Sequence, residues 1–174
     1  MAKKRSAGVL VMTEFPGMGL VAVLQRRGEF NHEKMGPESY PGGCQLTAHG
    51  GMEDSEAPFD TIFREALEEM GAPFGVAVGA ALSGSLVNAP RLNYINTDEK
   101  EVYSYGQKMN PDFLKSIKLG PSSGGVVLVT KERASKIRNL KEFTREEGVD
   151  QLSIIAMFLD DKVAVLKAFK YFAS

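Results

Sequence analysis

Glu65, Glu68 and Glu69 fall within five consecutive residues, with Arg64 directly before them. Carboxylates about one helical turn apart can seat a hard divalent cation. On a helical wheel with Phe59 at zero, Glu69, Glu65 and Glu68 lie at roughly 280°, 240° and 180°, and Arg64 at about 140°. The acids thus form a ledge along one side of the helix. Like charges at that spacing destabilise an isolated helix by roughly a few tenths of a kcal/mol per pair, and by more where packing excludes water. A divalent cation reverses the sign. Mg2+ is typically held by a few carboxylates, waters and substrate phosphate oxygens, so the ledge could be the fixed part of a phosphate-handling site. Acidic runs near helix N-termini or on solvated faces are also common, and the three glutamates alone do not separate the two readings.

The ledge needs a helix, and the spacing predicts one over Pro58–Met70. Phe59, Ile62, Phe63, Ala66, Leu67 and Met70 share the arc from about 300° to 80°. Gly71 sits where a C-terminal cap belongs, and Pro58 is acceptable because it falls in the first turn. Upstream, residues 7–12 and 20–24 read as two strands joined by the Phe15-Pro16-Gly17-Met18-Gly19 turn. A polar loop then delivers residues 44–49 as an extended segment ending at Gly50. Downstream, residues 76–87, 101–105 and 126–129 read as strands, the last opened by the glycine-rich loop 120–125. Residues 160–172 carry Val163, Leu166, Phe169 and Phe172 at helical spacing, predicting an amphipathic closing helix.

Reading from Gly50, five residues lead to Glu56 and seven more to Arg64-Glu65; Ala66, Leu67, Glu68-Glu69, Met70 and Gly71-Ala72 complete the pattern. This resembles the Nudix box, Gly-x5-Glu-x7-Arg-Glu-U-x-Glu-Glu-x-Gly-U, where U is a bulky aliphatic residue. Every fixed letter matches, while the U positions hold Ala66 and Ala72, smaller than the family prefers. Strand, loop and helix also occur in the order the motif requires. The resemblance is specific over residues 50–72, extends weakly to the upstream strands and the Pro41-Gly42-Gly43 turn, and beyond Ala72 is only compatible with the fold.

The resemblance implies an α/β fold, the Nudix-type α/β/α sandwich with a mixed β-sheet. It further implies a Mg2+-dependent pyrophosphohydrolase, with Mn2+ as a substitute, in which water attacks phosphorus in a nucleoside diphosphate-X substrate. That class covers nucleoside triphosphates, nucleotide sugars and dinucleoside polyphosphates. Glu65 and Glu69 match its metal-ligand positions and Glu68 a ligand or base. A Gly50 carbonyl could ligate the metal, and Gly50 and Gly51 permit close approach where a Cβ would obstruct it. Arg64 is better explained as a buttress for the loop and ledge than as a phosphate ligand, and Glu56 favours a structural role beside it.

Other residues are candidates by position. Arg26 and Arg27 end a strand and could reach substrate phosphate. Tyr40, Tyr94, Tyr103 or Tyr105 could stack on a base, although packing is the usual fate of such residues. Glu99, Glu101, Glu146 and Glu147 are the supply for a further acid from outside the box. His49 precedes Gly50, where a lone histidine usually hydrogen-bonds locally, and Cys44 has no base placed beside it in sequence.

Composition excludes several alternatives. The 174 residues (18.9 kDa, 43% hydrophobic) suit one domain spanning 1–174 with a real core. Twenty-one basic against twenty-two acidic residues, net −1, advertise neither a nucleic-acid polymer nor a membrane surface. One cysteine allows no internal disulfide, which with the short apolar opening run predicts a cytoplasmic protein. The glycines at 17–19 and 120–125 lack the lysine and Ser/Thr of a phosphate loop, and Lys100 spoils the EF-hand spacing begun at Asn96. A homodimer is compatible with the sequence, though no residue pattern specifies one. The alternative function is a catalytically silent Nudix-like nucleotide-binding sensor or scaffold, against which the intact glutamates argue.

Overall fold

Lys4–Phe15 (β1) forms the centre of the structure because residues 7–13 are buried on both sides of the strand. A strand that hydrophobic throughout needs a layer on each face. In the computed structural model, which describes residues 2–32, 34–85, 89–142 and 154–173, each face has one. Val9 and Val11 point toward one apolar cluster, with Ile62, Met70 and Phe74. Leu10 and Met12 point toward the other, with Val165 and Phe169. The result is a sheet between two helical layers.

Gly19–Arg27 (β2) returns antiparallel to β1, with Val11 opposite Val23. Phe30–Asn31 (β3) and Gly36–Pro37 (β4) form a small ribbon beside it. The extended segment expected over residues 44–49 divides into Cys44–Gln45 (β5), which pairs β2, and Ala48–Gly51 (β6), which pairs β1. Thr47 makes this switch affordable for the backbone. Its buried hydroxyl accepts from Val11 N (2.7 Å) and donates to the Val23 carbonyl, satisfying both strands where the chain changes partner. Gly50 and Gly51 are thereby delivered to the edge of the helix that follows.

That helix, Pro58–Met70 (α1), has the expected bounds. The Asp60 side chain accepts from Ala57 N, and Gly71 at φ +89° ends it. Residues 76–87, expected as a strand, are corrected: the chain instead forms Ala72–Ser85 (α2), and Val87 lies outside the described residues. Phe74, Val78 and Leu82 are buried four residues apart, a helical period masked in the sequence because the surrounding positions are apolar too. Gly75 and Gly79 let α2 approach α1, since a Cβ at either would fall 2.6 Å from Leu67 or 2.8 Å from Phe63.

Arg91–Asn96 (β7) forms an antiparallel pair with Lys100–Lys108 (β8), which runs parallel to β1. Ser123–Thr130 (β9) covers the far side of β2. The sheet is therefore mixed. Lys131–Ser135 (α3), Arg138–Asn139 (β10) and Ala156–Met157 (β11) lead to the closing helix, Leu159–Phe172 (α4). Its core face differs from the expected one. Asp161, Ala164, Val165, Ala168 and Phe169 are buried, while Val163 and Leu166 are each 40% exposed. No described helix is long and apolar enough to cross a membrane.

Candidate active site

The α1 ledge opens onto a cavity of about 700 Å³. Glu65, Glu68 and Glu69 line it on one side together with Gly50 and Gly51; Arg27, His32 and Lys34 line it elsewhere. Acids and cations therefore face one space, as charge-balanced binding of a phosphate-rich ligand would require.

Each glutamate has a different environment. Glu68 is half exposed. Glu65 is buried, receives Arg64 Nη1 at 2.8 Å, and lies so close to the β6 backbone that a Cβ on Gly50 would sit 1.8 Å from its Oε1. A side chain at Gly50 would thus collide with the Glu65 carboxylate, although the Gly50 backbone itself is ordinary strand. Glu69 accepts from His49 N (3.1 Å) and Gln45 Nε2 (2.8 Å), and Gln25 reaches it once its amide nitrogen is turned toward the carboxylate. Burial pushes the Glu69 carboxyl up to about 8, with the negative Glu65 adding to the shift and the three donors opposing it.

Arg64 does not line the cavity. It fixes the ledge to the preceding loop, forking onto Glu56 (Nε to Oε1 2.9 Å, Nη2 to Oε2 3.1 Å) and also donating to the Gly51 carbonyl at 2.7 Å. Glu56 further accepts from Glu53 N and the Thr61 hydroxyl. Hydrogen bonding from Arg64, above all, holds the Glu56 carboxyl at about 2, and Glu56 and Glu65 raise the guanidinium's own pKa. One arginine thus joins the loop acid, the glycine backbone and the ledge.

Of the arginine pair, only Arg27 is on the cavity wall. Neighbouring strand residues face opposite ways, and Arg26 is buried with Nη1 on the Gly42 carbonyl at 2.8 Å. Arg27 pairs with Glu38 at 2.9 Å and lies over the Phe158 ring. Burial works to raise the Glu38 carboxyl, but Asn31, Arg27 and Ser39 N outweigh it and keep it low.

The tyrosines named as stacking candidates are engaged elsewhere. Tyr94 packs on Tyr103, Tyr105 on Phe59, and Tyr40 meets the edge of Phe158. Glu101 pairs with Arg5, and neither it nor Glu99 lines the cavity. Glu146 and Glu147 lie outside the described residues. Cys44 is buried, and burial pushes its thiol up, away from nucleophile behaviour.

Sequence reasoning passed over Gln25 and Gln45, and set the glycine loop 120–125 aside as lacking the residues of a phosphate loop, although residues 120–123 line the cavity. Alternation along β2 puts Gln25 on the same face as Val23 and Arg27, which was the available signal for it. The loop and the residues just before it account for free carbonyls at the end of α1: Gly120 N donates to Glu69 O at 2.8 Å and Lys118 N to Met70 O at 2.8 Å. Their distance in sequence from α1 hid that contact.

Among the described residues no group of three or more His, Cys, Asp or Glu side chains is gathered so as to hold a metal ion by itself. An open site sharing its metal with waters and phosphate oxygens needs less, and carboxylates beside a glycine backbone are a donor set that fits Mg2+ or Mn2+.

No protein-family model and no curated protein sequence matches the chain. Similar solved structures include a mutT/nudix family protein from Listeria innocua, with a TM-score of 0.59 and 16% identity, covering 99% of this chain and 96% of that one. A MutT/nudix family protein from Enterococcus faecalis gives 0.62 at 13% identity, over 99% of this chain and 63% of its own. An Ap4A hydrolase from C. elegans gives 0.53 at 14% identity, over 98% and 97%. The mixed sheet between two helical layers, with the loop and helix of residues 50–72 at its edge, is the Nudix fold.

Proposed function

We propose that the protein is a divalent-metal-dependent pyrophosphohydrolase that cleaves a diphosphate linkage in a nucleoside diphosphate-X substrate. The carrying observation is that Glu65, Glu68, Glu69 and Gly50 line one cavity with Arg27 and Lys34. Glu65, Glu69 and the Gly50 carbonyl would hold Mg2+, or Mn2+ in its place, with Glu68 as a further ligand or base. When bound, the ion neutralises phosphate charge and makes water a better nucleophile. Arg27 binds a phosphate oxygen from the other side of the cavity, and Arg64 keeps Glu65 and the Gly51 backbone in register. Gln25 and Gln45 orient Glu69 toward the cavity, and Glu68, half exposed, would accept a proton from water.

The substrate is a small nucleotide; nucleoside triphosphates, nucleotide sugars and dinucleoside polyphosphates are the classes to test, the last also because one similar structure is named an Ap4A hydrolase. The reading includes a single catalytic domain acting in the cytoplasm on a small molecule, with no polymer or membrane partner. The test is phosphate and nucleotide release from that panel with Mg2+, with Mn2+ and with chelator. Chelator-sensitive cleavage of one class is expected. Binding without cleavage of any class would replace this reading with that of a silent nucleotide-binding domain.

A further inference from the structure

Away from the ledge, the cavity wall carries one more acid among the described residues, Glu38. It follows β4, and its side chain is only 7% exposed. One oxygen accepts from Arg27 Nη1 and from Ser39 N, both at 2.9 Å, and the other accepts from Asn31 Nδ2 at 3.2 Å. Its backbone N–H donates to the Glu29 carbonyl at 3.0 Å, so the β3–β4 ribbon fixes the carboxylate independently of Arg27. Burial opposes the charge, but these donors outweigh it and keep the carboxyl low.

Arg27 is held from two directions. Glu38 takes Nη1, and the guanidinium carbon lies 5.9 Å from the centre of the Phe158 ring. Phe158 belongs to the wall of a second cavity, of about 350 Å³, which His49 and the buried Asp161 also line. Arg27 Nε is buried with no partner among the described residues, so Glu38 does not exhaust the donors of the group. The arginine side chain remains 23% exposed and lines the catalytic cavity.

Glu38 acts on an incoming phosphate in two opposed ways. Its charge repels the anion, and its hydrogen bond keeps the guanidinium in place. A loose arginine loses rotamer freedom when a ligand orders it, and one already held loses less, so the hold favours binding. The repulsion falls with distance and is screened by water in an open cavity, whereas the hold acts by direct contact. The hold therefore outweighs the charge.

We infer that Glu38 is a positioning residue, which clasps Arg27 to the β3–β4 ribbon so that the guanidinium meets a substrate phosphate in one orientation. The inference rests on the reading above in that Arg27 takes a phosphate oxygen.

Two substitutions separate hold from charge. Glu38→Gln keeps an oxygen for Arg27 Nη1 and Ser39 N and removes the charge. Glu38→Asp keeps the charge and, one methylene shorter, draws it away from Nη1. The probe is methylenediphosphonate, whose P–C–P link is not hydrolysed, titrated with Mg2+ present and followed by NMR. Glu38→Gln should bind it within about twofold of the unaltered protein, and Glu38→Asp on the order of tenfold more weakly, as Arg27→Gln does. Combining Glu38→Asp with Arg27→Gln should cost no more than about twofold beyond Arg27→Gln alone, because the clasp then has nothing to hold. In turnover, the Glu38→Asp loss should appear in KM, with kcat within about twofold. Each variant should keep a cooperative melting transition. Tighter binding by Glu38→Gln, equal effects of the two Glu38 substitutions, full additivity in the double variant, or no binding of the probe by the unaltered protein would overturn the clasp. Because the probe is not cleaved, the clasp can fail in an active hydrolase, and it can stand in a protein that cleaves nothing.

Discussion

Two acid-bearing helix turns border neighbouring cavities and are built in opposite ways. At α1, Glu56 and Glu65 share Arg64, so each carboxylate has a cation or a backbone donor against it. At the start of α4, Asp161 is more deeply buried than either and has no hydrogen-bond partner among the described residues. The first arrangement holds the ledge at fixed geometry, as the cation and phosphate proposed above would need. The second buries a carboxyl, and burial pushes it up.

The sharpest test of the first half is Glu69→Gln. It keeps the size and the hydrogen-bonding reach to Gln45 while removing the carboxylate that would bind the ion. Turnover should fall on the order of a hundredfold or more with the fold retained by circular dichroism. Near-normal turnover would remove Glu69 from the ligand set and with it much of the contrast between the two acid sites.

Arg64→Met comes next, because it breaks the shared pairing without touching the cavity wall. Losing the support of a ligand typically costs about ten- to a hundredfold in metal affinity or activity. Activity measured against Mg2+ concentration should therefore shift to higher metal, with partial recovery at saturation. A fall in maximal rate with no change in metal dependence would recast Arg64 as a substrate contact. Arg27→Gln should have a smaller effect, raising KM by about tenfold more than it lowers kcat, as loss of uniform phosphate binding does.

How much of this was legible depended on how local the physics was. The α1 helix, its ledge and the Gly50 contact lie within residues 50–71, and periodicity plus the box spacing reached all of them. α2 was misread because its apolar residues carry no contrast: Val76 is 60% exposed while Val78 is buried. The core face of α4 was displaced by small residues, Ala164 and Ala168, which pack where the larger Val163 and Leu166 were expected. Gln25 and the 120–123 loop reach α1 only through the sheet's folding, and nothing in the sequence singles out Asp161. No rule of spacing connects Asp161 to His49, which lies more than a hundred residues earlier.

The smallest effect expected is a pair of opposite pH slopes, and it tests the contrast most directly. Glu56 is held at about 2, below its ordinary 4.5, by Arg64. Its stabilisation is therefore present in full above the unfolded value and is lost as pH falls from there toward 2. Asp161 is shifted the other way by burial, from an ordinary 3.8. Its cost is absent below the unfolded value and grows as pH rises toward the folded one. Glu56→Gln should lower Tm near neutral pH, and Asp161→Asn should raise it, with both differences shrinking below about pH 4. Melting curves of the three proteins across that range decide the matter. If Asp161→Asn also lowers Tm near neutral pH, the carboxylate is satisfied in the folded protein and the two helix turns are alike after all.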